Sequence, residues 1–255
     1  MITLAKRADS GLSVAACTIK GTRVGNRFEG RRVLVTNAER YIGPPIVELF
    51  RREGAHVIAD ASEFTERGVA QSMVERAGRI DILIPNLAGP TSLMPFTSLL
   101  CPVTEFKDED FQSYLDAMVW PLLCLVRAVA PQMIARRSGK IVAVTSASPL
   151  RSMLLLSIYT AARGAQNAFI RTVGAELAPH NVQINAIGPA YIENNAYFTS
   201  AMLRDQALHD EMVAEIPAGR IGDQGDAAEL VAALATDASN FLAGQVIPIA
   251  GGWVT

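Results

Sequence analysis

The chain has little cysteine and little histidine. Its three cysteines, Cys17, Cys101 and Cys124, form no C-x-x-C pair, so neither a zinc site nor a dithiol redox centre is signalled. An odd, sparse count suits a reducing compartment. His56, His180 and His209 are scattered and read as surface or loop residues, so no metal is expected. A dominant charge is also missing. Lys and Arg number 23 against 25 Asp and Glu, which favours neither nucleic acid nor an anionic membrane surface. No uncharged apolar run of about 18 residues is evident, so no membrane span is expected. Lys6 and Arg7 are followed by Asp9 and Ser10, unlike a secretory leader. The expected location is the cytoplasm. Internal repeats and low-complexity tracts are lacking too.

What is present is a globular composition, 50% hydrophobic and 19% charged over 255 residues. That length suits one large core at the upper end of single-domain α/β proteins. Residues 1–30 read as an N-terminal extension, with a short strand over Ser13–Ile19 and glycines at 21, 25 and 30. The domain proper is residues 31–255. Short β-branched runs predict strands at Val33–Thr36, His56–Ala59, Ile80–Ile84, Lys140–Thr145, Val182–Ile187 and Gln245–Ile249. Helical spacing falls at Ile42–Glu53, Ala70–Ala77, Phe111–Arg136, Tyr159–Leu177 and Ala227–Ala235. Gly54 closes the first of these, Asp226 is the expected N-cap of the last, and Pro121 or Pro131 is expected to bend the third. Strands alternating with helices imply parallel pairing and right-handed crossovers. The fold class is therefore α/β: a doubly wound parallel, Rossmann-like sheet in a single domain. Ligands in such sheets bind beyond the carboxyl ends of the strands, in the loops after Thr36, Ile84, Thr145 and Ile187.

Ser146 stands at one of those ends. Tyr159 follows 13 residues later and Arg163 four after that. The i, i+4 spacing puts Tyr159 and Arg163 on one helix face, one turn apart. Each residue alone has an ordinary structural reading, since serines cap turns after strands. All three at this spacing in a strand–helix context are more specific.

The set resembles the Ser…Tyr-x-x-x-Lys pattern of the short-chain dehydrogenase/reductase superfamily. Asn86-Leu87-Ala88-Gly89, Asn185-Ala186-Ile187-Gly188-Pro189, and Gly244-Gln245 with Gly251-Gly252 resemble further segments of it. The resemblance runs over about residues 31–252. Two departures matter. The dehydrogenases carry T-G-x-x-x-G-x-G after the first strand, where glycines let the backbone approach a pyrophosphate. Here the segment is Thr36-Asn37-Ala38-Glu39-Arg40-Tyr41-Ile42-Gly43, so Asn37 and Tyr41 replace two glycines and Glu39 adds a negative charge. The second departure is Arg163 in place of the lysine that also holds the cofactor ribose.

Ser…Tyr-x-x-x-Arg with an aromatic in the former glycine loop resembles the halohydrin dehalogenases. That resemblance implies a cofactor-free lyase that closes vicinal haloalcohols to epoxides and, in reverse, opens epoxides with small anions such as azide, cyanide or nitrite. It implies Ser146, Tyr159 and Arg163 as catalytic residues, no cofactor, and a halide site at Tyr41 and Pro189-Ala190-Tyr191-Ile192. Backbone N–H groups near Tyr191 and Ile192 would cradle the halide. Tyr41 also reads as a plain core aromatic, and Tyr191 as a packing residue. The substrate pocket is expected to include Asn86, Leu93, Ala147, Leu154, Tyr197 and Phe198, mostly apolar or small.

The expected partners are a haloalcohol or epoxide and a halide or other small anion, with no nucleic acid and no membrane. The resemblance implies a homotetramer, and Trp253 near a subunit contact or a neighbouring active site. Two other readings stay open. Asp60, at the end of the second strand, is where an acidic residue would hold a NAD ribose, which fits a nicotinamide-dependent oxidoreductase. A catalytically silent scaffold is the other.

Overall fold

The computed structural model describes residues 25–62, 68–90 and 100–254. The expected strand at Ser13–Ile19 and the expected pocket residue Leu93 lie outside them. The described strands are β1 (Arg32–Thr36), β2 (His56–Asp60), β3 (Ile82–Ile84), β4 (Gly139–Val144), β5 (Val182–Pro189) and β6 (Val246–Ile249). They form one parallel sheet in the order β2-β1-β3-β4-β5-β6. The helices are α1 (Gly43–Arg52), α2 (Val69–Ala77), α3 (Asp108–Tyr114), α4 (Trp120–Ala135), α5 (Ser157–Leu177), α6 (Ser200–Leu203), α7 (Gln206–Ala214) and α8 (Gln224–Ala235).

The period of two along each strand splits the core between the sheet's two faces. Val33 and Val35 pack with Ile46 and Phe50 of α1 and Val231 of α8. Leu34, between them, packs on the other face with Met73 of α2, Leu125 of α4 and Ile170 of α5. Both faces are covered, which is why the central strands read as continuous apolar runs. Phe28, within the segment read as an extension, is buried against Phe50, with ring centroids 4.4 Å apart.

The long helical stretch is not uniform. A π turn at Leu115–Val119 joins α3 to α4, and the Trp120 N–H reaches the Leu115 carbonyl. Pro121 follows directly. Its ring nitrogen has no hydrogen to give the preceding turn, and the extra residue of the π turn absorbs that gap. Pro131 sits inside α4 without interrupting it. By length and composition, Asp108–Ala135 is long and apolar enough to cross a membrane, a feature the sequence reading passed over. In the fold its apolar residues Leu122, Leu125, Val129 and Met133 are buried in the core.

α8 begins earlier than expected. Its N-cap is Asp223, not Asp226. The Asp223 carboxylate accepts from the Asp226 N–H at 2.9 Å, and the Asp226 carboxylate accepts from the Asp223 N–H at 3.1 Å. Asp226 is thus the third helical residue of a reciprocal capping pair.

The strand order reverses between β2-β1 and β3 onward. The crevice of such a sheet opens at that switch, at the carboxyl ends of β1 and β3. The loops carrying Tyr41 and Leu87 meet there.

Candidate active site

The loop after β1 keeps a glycine-type backbone without the glycines. Asn37 has φ 45° and Tyr41 φ 55°, the left-handed region, at the two positions where the resembled pattern has glycine. Asparagine tolerates that region; a tyrosine there costs roughly 1–3 kcal/mol unless its surroundings hold it. They do. The Asn86 side-chain amide donates to the Asn37 carbonyl at 3.0 Å and to the Arg40 carbonyl at 2.8 Å. The Tyr41 hydroxyl donates to the Thr145 carbonyl at 3.2 Å, and its ring meets Tyr197 edge-on at 5.2 Å. Gly43 is retained for another reason. A Cβ there would stand 2.5 Å from the Asn37 carbonyl oxygen and 2.6 Å from that of Ala38. Gly43→Ala should therefore push the loop off its seat, at about 1–3 kcal/mol. The expected result is a melting temperature several degrees lower; an unchanged value would mean the loop yields freely.

This loop does not fit a dinucleotide diphosphate. An anion at a helix start needs free N–H groups there. In α1, the Gly43 N–H donates to the Arg40 carbonyl at 2.9 Å, and Pro44 and Pro45 have none to offer. The Tyr41 ring packs into the site, and Glu39 is exposed on the loop. Asp60 ends β2, and its carboxylate accepts from the Ser62 N–H at 2.8 Å. It acts locally as a turn residue.

Beside the loop lies a narrow cavity whose empty space, about 440 Å³, extends out through its open mouth. Of the residues expected at the site, Tyr41, Ser146, Tyr159, Pro189, Ala190, Tyr191, Tyr197 and Phe198 line it. Ser146 arrives from the end of β4. Its hydroxyl lies 3.1 Å from the Ser148 N–H, which donates to it, and 3.4 Å from the Pro189 carbonyl. Tyr159 and Arg163 arrive from α5, and Pro189 to Tyr191 from the end of β5. No carboxylate lines the cavity among the described residues.

Arg163 is 0% exposed. Its Nε donates to the Tyr159 hydroxyl at 3.2 Å, and its Nη2 to the Tyr197 hydroxyl at 3.4 Å. Nη1 meets the Leu87 carbonyl at 3.0 Å, the Val144 carbonyl at 3.3 Å and the Gln166 Oε1 at 2.9 Å. The three nitrogens thus face five oxygens, with the two Nη1 hydrogens shared among three of them. Among the described residues no carboxylate forms an ion pair with it. The guanidinium also stands over the rings of Tyr159 and Tyr41, at 5.3 and 5.7 Å. Burial works against its charge. The phenols of Tyr159, Tyr197 and Tyr41 more than offset that and hold its pKa above the ordinary arginine value.

Burial pushes the other four tyrosines up. Tyr197 and Tyr191 each reach about 12. Tyr41 and Tyr114 are raised from the usual value of 10.0, again chiefly by burial. Those four phenols keep their protons at neutral pH. Tyr197 also accepts from the Gly89 N–H at 2.6 Å, so it serves as a fixed hydrogen-bonding post behind Arg163.

Several expected residues stand elsewhere. Leu154 is 87% exposed and does not line the cavity, because it sits in the turn before α5 with its side chain in solvent. Asn86 is buried beneath the loop it clamps. Ala147 is buried too, its N–H donating to the Pro189 carbonyl at 3.0 Å, so it braces the wall from behind. Ile192 faces a second cavity with Gly222 and Arg220, and its N–H is already given to the Ala190 carbonyl at 3.1 Å. The Ala190 N–H goes to the Ile249 carbonyl at 3.2 Å. Of these three successive amides, that of Tyr191 has no acceptor among the described residues.

Met153 and Leu156, from the stretch Leu150–Leu156 expected at the pocket rim, also enter the cavity wall with Trp253, and so do Ser148 and Asn194, which were not foreseen. Trp253 closes one side of this chain's own cavity. Its indole N–H donates to Glu215 at 3.0 Å, and the Arg151 guanidinium lies 4.7 Å over its ring. No local pattern in the sequence links Trp253, Glu215 and Arg151. Gln166 was also missed, although it lies on the Tyr159–Arg163 face by helical spacing.

The chain matches the family model described as Enoyl-(Acyl carrier protein) reductase over residues 58–254. It is 30% identical over 256 residues to a 3-oxoacyl-[acyl-carrier-protein] reductase of Thermotoga maritima, covering 89% of this chain and 99% of the relative. A solved structure described as a dehalogenation enzyme superposes with TM-score 0.80 at 32% identity, over 89% of this chain and 99% of that one. One described as a putative 2-deoxy-d-gluconate 3-dehydrogenase of Agrobacterium tumefaciens with bound NADP superposes with TM-score 0.78 at 26% identity, over 89% and 98%.

Proposed function

This chain belongs to the short-chain dehydrogenase/reductase superfamily, and we propose that within it the protein is a halohydrin dehalogenase that works without nicotinamide. One observation carries the reading. A fully buried guanidinium faces three phenols and no carboxylate, beside a loop whose helix start offers no phosphate donors. Such a site favours a transient anion and has lost the means to hold a diphosphate. The likeness to a dehalogenation enzyme supports the same reading.

In the proposed reaction, Tyr159 takes the proton of the substrate hydroxyl as general base. Arg163 Nε holds the Tyr159 oxygen at 3.2 Å and sets a cation beside the negative charge that develops there as the proton moves. Ser146 donates a hydrogen bond to the substrate oxygen. The resulting alkoxide attacks the neighbouring carbon from behind, a C–O bond forms, and the carbon–halogen bond breaks. Both reacting centres are in one molecule, so the geometry supplies the proximity advantage. The halide leaves with its electron pair toward the free Tyr191 N–H, beside Pro189, Ala190 and the Tyr41 ring. In reverse, protonated Tyr159 delivers its proton as azide, cyanide or nitrite opens the epoxide. The walls formed by Met153, Leu156, Phe198 and Trp253 favour a substrate that is apolar outside its halohydrin group. A cytoplasmic homotetramer is the assembly this reading carries with it.

A second reading has its own support. The 30% identical reductase and the structure described with NADP favour a nicotinamide-dependent oxidoreductase, and Asp60 sits where a ribose would be held. Halide release from a vicinal bromoalcohol without nucleotide, run beside a titration with NADH and NADPH, separates the two. Release without nucleotide supports the dehalogenase. Saturable nucleotide binding with carbonyl reduction and no halide supports the oxidoreductase.

A further inference from the structure

Gln166 lies three residues beyond Arg163 and seven beyond Tyr159 in α5, so all three share one helix face. It is 1% exposed and takes no part in the reaction proposed above. Both ends of its amide are engaged. Oε1 accepts from Arg163 Nη1 at 2.9 Å, and Nε2 donates to the Met118 carbonyl at 2.8 Å. Met118 lies in the π turn Leu115–Val119, so the side chain ties the guanidinium to the one irregular turn of the neighbouring helical stretch.

We propose that Gln166 is a positioning residue for Arg163, anchoring its guanidinium to the π turn so that Nε meets the Tyr159 hydroxyl. The proposal rests on the reading of Tyr159 and Arg163 as the reacting pair. The chemistry at this position is narrow. An apolar side chain would take the side-chain donor from the buried Met118 carbonyl and leave Arg163 Nη1 only the Leu87 and Val144 carbonyls, cutting the tie between the guanidinium and the π turn. A carboxylate would become Arg163's counter-ion and cancel the positive field that Tyr159 uses. Glutamine brings an acceptor and a donor on one neutral group. The other groups facing Arg163 are Tyr41 from the loop after β1, Tyr197 from the segment after β5, and Tyr159 on α5 itself. Tyr114 of α3 packs edge-on to Tyr159 at 6.1 Å.

The test compares Gln166→Glu and Gln166→Met with the wild type. Glutamate keeps the acceptor and adds the negative charge. The pH profile of kcat/KM should move upward by about one unit or more, with roughly a tenfold or larger loss at neutral pH. Methionine keeps the length without the hydrogen bonds. It should lower kcat about 10- to 100-fold with little change in KM, as a loosened guanidinium misplaces the pair. Phenolate absorbance is followed against pH in each protein and in its Tyr159→Phe counterpart. The difference isolates Tyr159 with no substrate present, so it stands even if the wild type turns over no haloalcohol. A Tyr159 signal displaced to higher pH in Gln166→Glu supports the proposal. Glutamate and methionine variants that keep the wild-type profile, kcat and Tyr159 signal, and lose only melting temperature, would overturn it. In that case Gln166 merely satisfies the π turn.

Discussion

Tyr159→Phe folds normally and loses turnover by about 10²- to 10⁴-fold, the usual contribution of a positioned general base. The change removes one oxygen and keeps the ring. Its edge contacts with Tyr114 and Tyr197, at 6.1 and 5.8 Å, survive. Arg163 loses one of five acceptors and keeps the others. No neighbouring phenol can take over at neutral pH, because burial pushes Tyr41, Tyr114, Tyr191 and Tyr197 up. Initial-rate measurements on the purified variant check this, with circular dichroism to verify the fold. Turnover near the wild-type level would remove Tyr159 from the base's role.

Arg163→Leu loses activity and stability together. Leucine fills part of the volume but leaves the Leu87 and Val144 carbonyls, the Gln166 Oε1 and the Tyr159 and Tyr197 hydroxyls without their donor. Buried acceptors without partners cost about 1–3 kcal/mol each, and losing the desolvated charge offsets part of that. A net loss of about 2–5 kcal/mol is expected, read as a lower urea midpoint with an unchanged slope. Catalysis falls because the phenolate loses the cation beside it. Arg163→Lys is the informative companion: it keeps the charge but has three donors on a point ammonium instead of a planar fork. It should recover part of the activity and less of the stability. A leucine variant as stable and as active as the wild type would contradict the role given to the buried guanidinium.

The sheet and the helices that cover it were legible because apolar runs and helical spacing report burial directly; the short α6 and α7 were not foreseen. The runs Val33–Thr36 and Lys140–Thr145 could be strands of little else than a covered sheet. Element ends were less legible. The capping pair that starts α8 is settled by which of two aspartates reaches which amide, and both candidates suit the position. Ser146, Tyr159 and Arg163 were legible by spacing within one strand–helix unit. So was the replacement of glycines at Asn37 and Tyr41. That both would keep a left-handed backbone needed coordinates. Leu154 and Asn86 were misplaced because a residue's position near a loop does not say which way its side chain points. Leu154 turns to solvent, and Asn86 turns under the loop to clamp it. Trp253, Glu215 and Arg151 come from three distant segments, so their meeting at the cavity was invisible in sequence.

The central claim is that this site expels halide by intramolecular ring closure without a nucleotide. The most direct test follows bromide and proton release together, from a simple vicinal bromoalcohol, with no nucleotide added. The account predicts that both ions are released in equal amounts as the epoxide forms. No bromide release, with carbonyl reduction that depends on added NADH or NADPH, would contradict it.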